Sequence, residues 1–243
     1  MSQMERYITL MICSLLITFN MLAQNYSAVA GKINDDNISS YLGAINNHAV
    51  IYTGKEEPMY NVRTTNHPYL NTIEFKKGEL SYDGRVYKDV MLRLNCNIDE
   101  LTVMNPDRTL SIIVPKDRVD YAVIDSMYII YHKPKPADRM GMSEGYYVRT
   151  YNGDCQVWKR ETCFLKNVIK DYEVEYLFAK KLKIYIYKDG TYYPVKRKGS
   201  VLKLFASKRR ELSKIIKQSG LSFSSNPEKV VVEATKYYDK LNK

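Results

Sequence analysis

This sequence predicts a mainly antiparallel β protein of the α+β class, built of meandering hairpins and closed by a C-terminal helical hairpin packed on the sheet. Three observations carry that expectation. Between His48 and about Lys196, short runs rich in Val, Ile, Tyr and Thr are broken at short intervals by Gly, Pro, Asn and Asp, the pattern of strands joined by tight turns. Three reversals share one form, Tyr82-Asp83-Gly84, Tyr151-Asn152-Gly153 and Lys188-Asp189-Gly190; Gly accepts a positive φ and Asp or Asn tolerates the neighbouring turn geometry. Beyond residue 198 the apolar spacing changes to that of one helix face.

In chain order, the first element is "MSQMERYITLMICSLLITFNMLAQ". Its uncharged run, Tyr7 to Phe19, follows Arg6 and is shorter than the roughly 20 apolar residues that span a bilayer. With the small residue Ala23 near its end, the stretch 1–24 has the form of a secretory signal peptide. Cys13 lies inside the run and follows Ile12, so it does not fit a lipid-anchor position. The expected mature chain is therefore exported, periplasmic or envelope-associated, with no transmembrane span. Residues 25–47 are polar, lack sustained periodicity and read as a mobile lead-in.

The β domain is expected over residues 48–198, with strands at "HAVIYT", "NTIEFK", "GELSY", "VYKDVMLRL", "ELTVM", "TLSIIV", "DYAVIDSMYIIY", "GYYVRTY", "CQVWKR", "KLKIYIY" and "TYYPVK". At the first hairpin, a three-residue loop Tyr82-Asp83-Gly84 would place Leu80, Val86, Val90, Leu92 and Leu94 on one face. A two-residue loop would split them, and a one-residue slip exchanges faces. The pattern therefore favours the longer loop, with Gly84 in a left-handed bulge position and Asp83 as a turn-former. His132 to Gly145 reads as a long exposed loop from its prolines and glycines, and "RETCFLKNVIKDYEVEYLFAKK" admits a short helix. Over residues 199–243, Val201, Leu204, Phe205, Leu212, Ile215 and Ile216 form one helix face. Ser200 is the expected N-cap and Gly220 the stop, and a second helix begins at Asn226-Pro227.

The net charge is +10. On its own this supports attraction to anionic surfaces and solubility; no nucleic-acid partner is expected for an exported chain. The densest basic patch, Lys208, Arg209, Arg210 and Lys214, is a candidate anion site or membrane-surface contact on the solvated side of an amphipathic helix. After residue 24, Cys96, Cys155 and Cys163 remain. Cys155 and Cys163 can bridge only if the chain reverses between them, since eight extended steps hold them about 26 Å apart; buried free thiols are the favoured reading. His48, His67 and His132 are scattered without metal-ligand spacing, and no serine elbow is present. No catalytic, cofactor or metal residue is assigned, and a hydrolytic enzyme is less favoured than a binding protein. The 22 tyrosines suit strands, and Tyr146, Tyr147, Tyr185, Tyr187, Tyr192 and Tyr193 form a candidate ligand or partner face.

"VIYTG" at Val50–Gly54, "HPYL" at His67–Leu70, Phe75, Gly78, "YDGRVYKDVML" at Tyr82–Leu92, "GYY" at Gly145–Tyr147 and "YYDKL" at Tyr237–Leu241 occur in an order that resembles a family of uncharacterised exported proteins of Bacteroidetes. The resemblance implies an envelope or periplasmic location and brings no catalytic residues. It also likens "DSM" at Asp125–Met127 to a short O-glycosylation acceptor pattern. The expected function is a non-enzymatic interaction module that binds another envelope protein or surface. Glycan or small-ligand binding through the tyrosine face is the alternative.

Overall fold

The computed structural model describes residues 50–134 and 141–242. The expected signal peptide, lead-in and Cys13 lie outside the described residues, as does the centre of the loop after His132.

Ten strands form one sheet: β1 (Lys76–Tyr82), β2 (Arg85–Asn95), β3 (Glu100–Met104), β4 (Ser111–Ile113), β5 (Val119–Ile124), β6 (Met127–His132), β7 (Gly145–Asn152), β8 (Gln156–Lys170), β9 (Glu173–Lys188) and β10 (Thr191–Val195). Their spatial order is β10-β9-β8-β7-β6-β5-β1-β2-β3-β4, and every neighbouring pair is antiparallel. Two meanders thus meet at β1, which pairs with β2 on one side and β5 on the other. The helices are α1 (Lys198–Leu204), α2 (Arg209–Gln218) and α3 (Pro227–Leu241).

The first hairpin differs from expectation. Tyr82 pairs with Arg85 and Leu80 with Tyr87, so the loop is the two residues Asp83-Gly84, both with positive φ (51° and 70°). The apolar split is repaired further along. Gly78 pairs with Val90, leaving Glu79 opposite Lys88 and Asp89; Asp89 has φ 57°, a bulge that inserts one residue and reverses side-chain parity. Tyr87 before it and Val90, Leu92 and Leu94 after it are all buried, while Val86 is exposed.

The other turns follow related chemistry. Asp125-Ser126, Asp171-Tyr172 and Asp189-Gly190 also have positive φ at both positions, the geometry whose twist matches that of the flanking strands. "DYAVIDSMYIIY" is therefore two strands, and the segment expected to admit a helix is the long β8–β9 ribbon. The β7–β8 reversal centres on Gly153, Asp154 and Cys155, because Asn152 pairs with Gln156. A Cβ on Gly153 would lie 2.3 Å from the Tyr151 hydroxyl and 2.4 Å from Asp239 Oδ2, so close approach of α3 requires glycine there.

Two expected strands are absent. Val50–Tyr52 is a 3-10 turn, and residues 71–75 precede β1 as irregular chain. From Lys55 to Tyr69 the chain is a strap over sheet edges. Ile113 N–H donates to Lys55 O (2.7 Å), Glu57 N–H to Ser111 O (2.8 Å) and Thr65 N–H to Tyr176 O (3.0 Å).

The helices cover the β7–β10 end of the sheet. Cys155, Val157, Ile184, Ile186 and Val195 pack against Val201, Phe205, Leu212, Ile216, Val230, Val231 and Ala234, and burying each large aliphatic side chain is worth about 1.5–3 kcal/mol. The expected helical hairpin is instead three helices. The chain leaves the helix at Phe205, passes through a 3-10 turn at Ala206–Lys208 and resumes at Arg209. The break falls where "ASKRRE" offers no large apolar side chain to hold a helix on the sheet, and Phe205 stacks on Tyr238 at 3.9 Å. Helix α1 begins at Lys198, not after Ser200; Gly220 takes φ 66° behind α2, and α3 opens at Asn226-Pro227 as expected. Asp239 on α3, 4% exposed, accepts the Tyr151 hydroxyl (2.9 Å) and the Cys155 N–H (3.2 Å). Those bonds pin α3 to the β7–β8 turn.

Candidate functional site

The six tyrosines do not form one open face. Tyr147, Tyr185, Tyr187 and Tyr192 share the side opposite the helices, whereas Tyr193 pairs with Ile186 on the helix side. Tyr146 alternates with Tyr147 along β7 and faces the same way as Tyr193. Tyr146, Tyr147 and Tyr185 are at most 4% exposed. Their rings are core: Tyr147 meets Tyr185 edge-on at 5.8 Å, and Met142 and Trp158 close the cluster. The Tyr147 hydroxyl donates to Ser143 O (2.9 Å) and that of Tyr185 to Gly141 O (3.2 Å). Burial pushes Tyr185 up to about 12. The basic patch is better placed, with Arg209, Arg210 and Lys214 exposed on α2 and Lys208 half-buried in the preceding turn. Ser126 of the "DSM" pattern stands exposed on the β5–β6 turn.

Two clefts draw in residues, Glu57, Arg93, Lys181 and Lys196 among them, to which the sequence assigns no functional role. The first, about 580 Å³, lies between the strap and the β2–β3–β4 end of the sheet, and Glu57, Tyr60, His67, Tyr69, Phe75, Arg93 and Phe178 help to line it. At its base Glu57 accepts Arg93 Nη2 (2.8 Å), Asn95 Nδ2 (2.7 Å) and Ser111 Oγ (2.6 Å). Arg93 Nη1 donates to Ile73 O (2.7 Å). The guanidinium carbon of Arg93 sits 3.6 Å from the Tyr69 ring centroid and 4.0 Å from that of Phe75. Burial, with the Glu57 carboxylate adding to it, pushes Tyr69 up to about 12, while burial lowers His67. The buried charges of Glu57 and Arg93 match one another, so the arrangement fastens the strap to the sheet. No local pattern marks these residues, because Glu57 and Arg93 meet across 36 positions.

The second cleft, about 840 Å³, lies where β9 and β10 meet the α2–α3 connection. Lys181, Lys183 and Lys196 stand around Leu182, Ile184, Val195, Phe223 and Pro227, and no carboxylate is among the described residues lining it. Long cationic side chains around an apolar floor suit an anionic partner that also buries apolar groups. "KKLKIYIY" carried this signal as alternating lysines, but periodicity alone reads it as an ordinary strand with a solvated face.

The three thiols are free and buried. Burial raises all of them, Cys163 to about 11, Cys155 to about 12 and Cys96 further, which suppresses the reactive thiolate. Among the described residues no group of three or more His, Cys, Asp or Glu is placed to hold a metal, and no helix is long and apolar enough to cross a membrane. No family model matches the chain, and neither a curated protein nor a solved structure matches it.

Proposed function

We propose that this protein is an exported, non-enzymatic binding module that engages another envelope protein through the basic cleft beside β9 and β10. The observation that carries the reading is the cleft's chemistry, with Lys181, Lys183 and Lys196 around an apolar floor and no opposing carboxylate among the described residues that line it. Such a site attracts an acidic segment at long range and buries apolar side chains on contact. A concave cleft fits a protruding chain better than a flat bilayer, whereas the convex basic side of α2 is the better shape for a membrane surface. The glycan reading depended on an open tyrosine face, and three of its six rings are buried.

The test is a photo-crosslinking residue at position 196, used in living cells that make the full-length chain. Crosslinks to one protein that disappear in the triple variant K181E/K183E/K196E are expected. Crosslinks to lipid or glycan alone, or a protein crosslink indifferent to the charge reversal, would overturn the reading. Fractionation with N-terminal sequencing checks export separately; a cytosolic protein retaining residues 1–24 removes that half of the proposal.

A further inference from the structure

The cleft beside β9 has a property that its side chains do not reveal. Consecutive residues Lys181, Leu182, Lys183, Ile184 and Tyr185 all line it. A cleft on one face of a strand would touch alternate residues only, so this one runs over the outer edge of β9.

Hydrogen-bond parity identifies which backbone groups that edge presents. The β8–β9 turn has two residues, with Lys170 paired to Glu173. The closing pair of such a loop exchanges both hydrogen bonds, and such pairs alternate along the ladder. Odd-numbered β9 residues therefore bond to β8, and even-numbered ones point outward. The observed outer partners agree. Ile184 and Ile186 face Val195 and Tyr193 of β10. Tyr176 O accepts Thr65 N–H, and Phe178 is bonded through both N–H and C=O by the Asn66 carboxamide (2.7 and 2.9 Å). Between these two covers lie Lys180 and Leu182. Among the described residues nothing pairs with their outward N–H and C=O groups.

We propose that this gap accepts an extended acidic segment of a partner protein as an added strand, bonded to the backbone of Lys180 and Leu182. The proposal rests on the binding-module reading and specifies its mode and its partner's chemistry. An unpaired edge is a template for strand addition, with main-chain bonds giving affinity and alternate side chains giving specificity. Lys181 and Lys183 project to one face of β9, and Leu182 to the other, so the complementary segment reads acid, apolar, acid. Lys180 is already paired with Glu161 (2.8 Å). A second copy of this chain would set lysines against lysines, which like-charge repulsion opposes. On β10, Pro194 occupies the outward-pointing position and lacks an N–H, which closes that neighbouring edge to the same use.

The full-length protein is titrated with acetyl-Val-Glu-Val-Glu-Val-amide, with the same peptide methylated on the amide nitrogens of its third and fifth residues, and with a version carrying Lys for Glu. The glutamate peptide should bind and slow hydrogen exchange at the Lys180 and Leu182 amides. Methylation removes two backbone donors and should weaken binding roughly tenfold or more, and the lysine peptide should not bind. Equal binding of the methylated peptide, unchanged exchange at residues 180 and 182, or preference for the lysine peptide would each overturn strand addition. So would self-association of the protein that protects the same two amides. If the glutamate peptide fails while the crosslink at position 196 persists, the mode is wrong and the binding module stands; binding of the peptide without any cellular crosslink shows the reverse.

Discussion

Asn66 and Phe178 are paired as two strand residues would be, although only Phe178 belongs to a strand. The Asn66 carboxamide accepts the Phe178 N–H at 2.7 Å and donates to its carbonyl at 2.9 Å. One side chain thus replaces the backbone of a missing neighbour and ends the unpaired stretch of β9. Asn66→Ala should open both groups and cost about 1–2 kcal/mol, at roughly 1 kcal/mol for each net hydrogen bond. Denaturant unfolding reads the loss, and amide exchange at Phe178 should accelerate. Unchanged exchange at that amide would show that the strap holds the edge without Asn66.

The Glu57–Arg93 pair should be the most sensitive charged contact of the strap. Glu57 is 3% exposed in its side chain and Arg93 13%, and removing one partner of such a pair costs about 3–5 kcal/mol because the other charge is left behind. Glu57→Ala should therefore lower the urea midpoint sharply. Glu57→Ala with Arg93→Met should regain part of that loss, since no stranded charge remains. A double variant less stable than the sum of the two single changes would contradict the ion-pair account.

Alkaline pH should unfold the protein through its buried phenols and thiols. Tyr69, Tyr151 and Tyr185 are raised to about 12 from an ordinary value of 10.0, and burial is the first cause in each. Cys155 and Cys163 rise from 9.0 to about 12 and about 11, again by burial. The folded state holds these protons more tightly than the unfolded chain. Their stabilising contribution is complete below the unfolded values and is lost as pH rises towards the folded ones. Thermal melts should weaken progressively from pH 9 towards pH 12. Tyr151→Phe removes the group bonded to Asp239 and should make that decline shallower; an identical slope would exclude Tyr151 from it.

The same burial predicts inert thiols. With Cys163 near 11, roughly one molecule in a thousand carries its thiolate at pH 8, and Cys96, Cys155 and Cys163 are at most 6% exposed. A Cys13→Ser chain should react negligibly with a disulfide reagent when native and at all three thiols in denaturant. Rapid reaction of one thiol in the folded protein would reveal an opening motion at its site.

How much of this was legible in the sequence depended on whether the signal was local. Most of the antiparallel strands, the left-handed turn glycines Gly84 and Gly190, and the Asn226-Pro227 helix start are set by neighbouring residues, and they read correctly. Parity reasoning at the first hairpin detected a real irregularity but placed it at the turn. The extra residue sits at Lys88-Asp89, where Asp tolerates the left-handed conformation without a glycine to advertise it. Asp125-Ser126 and Asp171-Tyr172 were missed for the same reason. Glu57, Asn66 and Arg93 were illegible because their partners are brought together only by the strap. The tyrosine surface failed because composition does not distinguish a wet ring from Tyr147, whose hydroxyl is satisfied by the Ser143 carbonyl.

The turns supply a two-sided test of that last geometry. Tyr172 is fully exposed at φ 66°, a conformation that costs a residue with a side chain roughly 1–2 kcal/mol. Glycine avoids the cost but loses roughly 0.5–1 kcal/mol in chain entropy. Tyr172→Gly should therefore stabilise the β8–β9 ribbon by up to about 1.5 kcal/mol, taking the difference of those terms. Gly84→Val places a β-branched residue at φ 70° and should destabilise by at least about 1–2 kcal/mol. A Cβ at Gly84 meets nothing within 4 Å beyond its chain neighbours, so the expected loss comes from the left-handed backbone and not from packing against another element. Denaturant melts moving both variants in the same direction would contradict the two-residue left-handed turns.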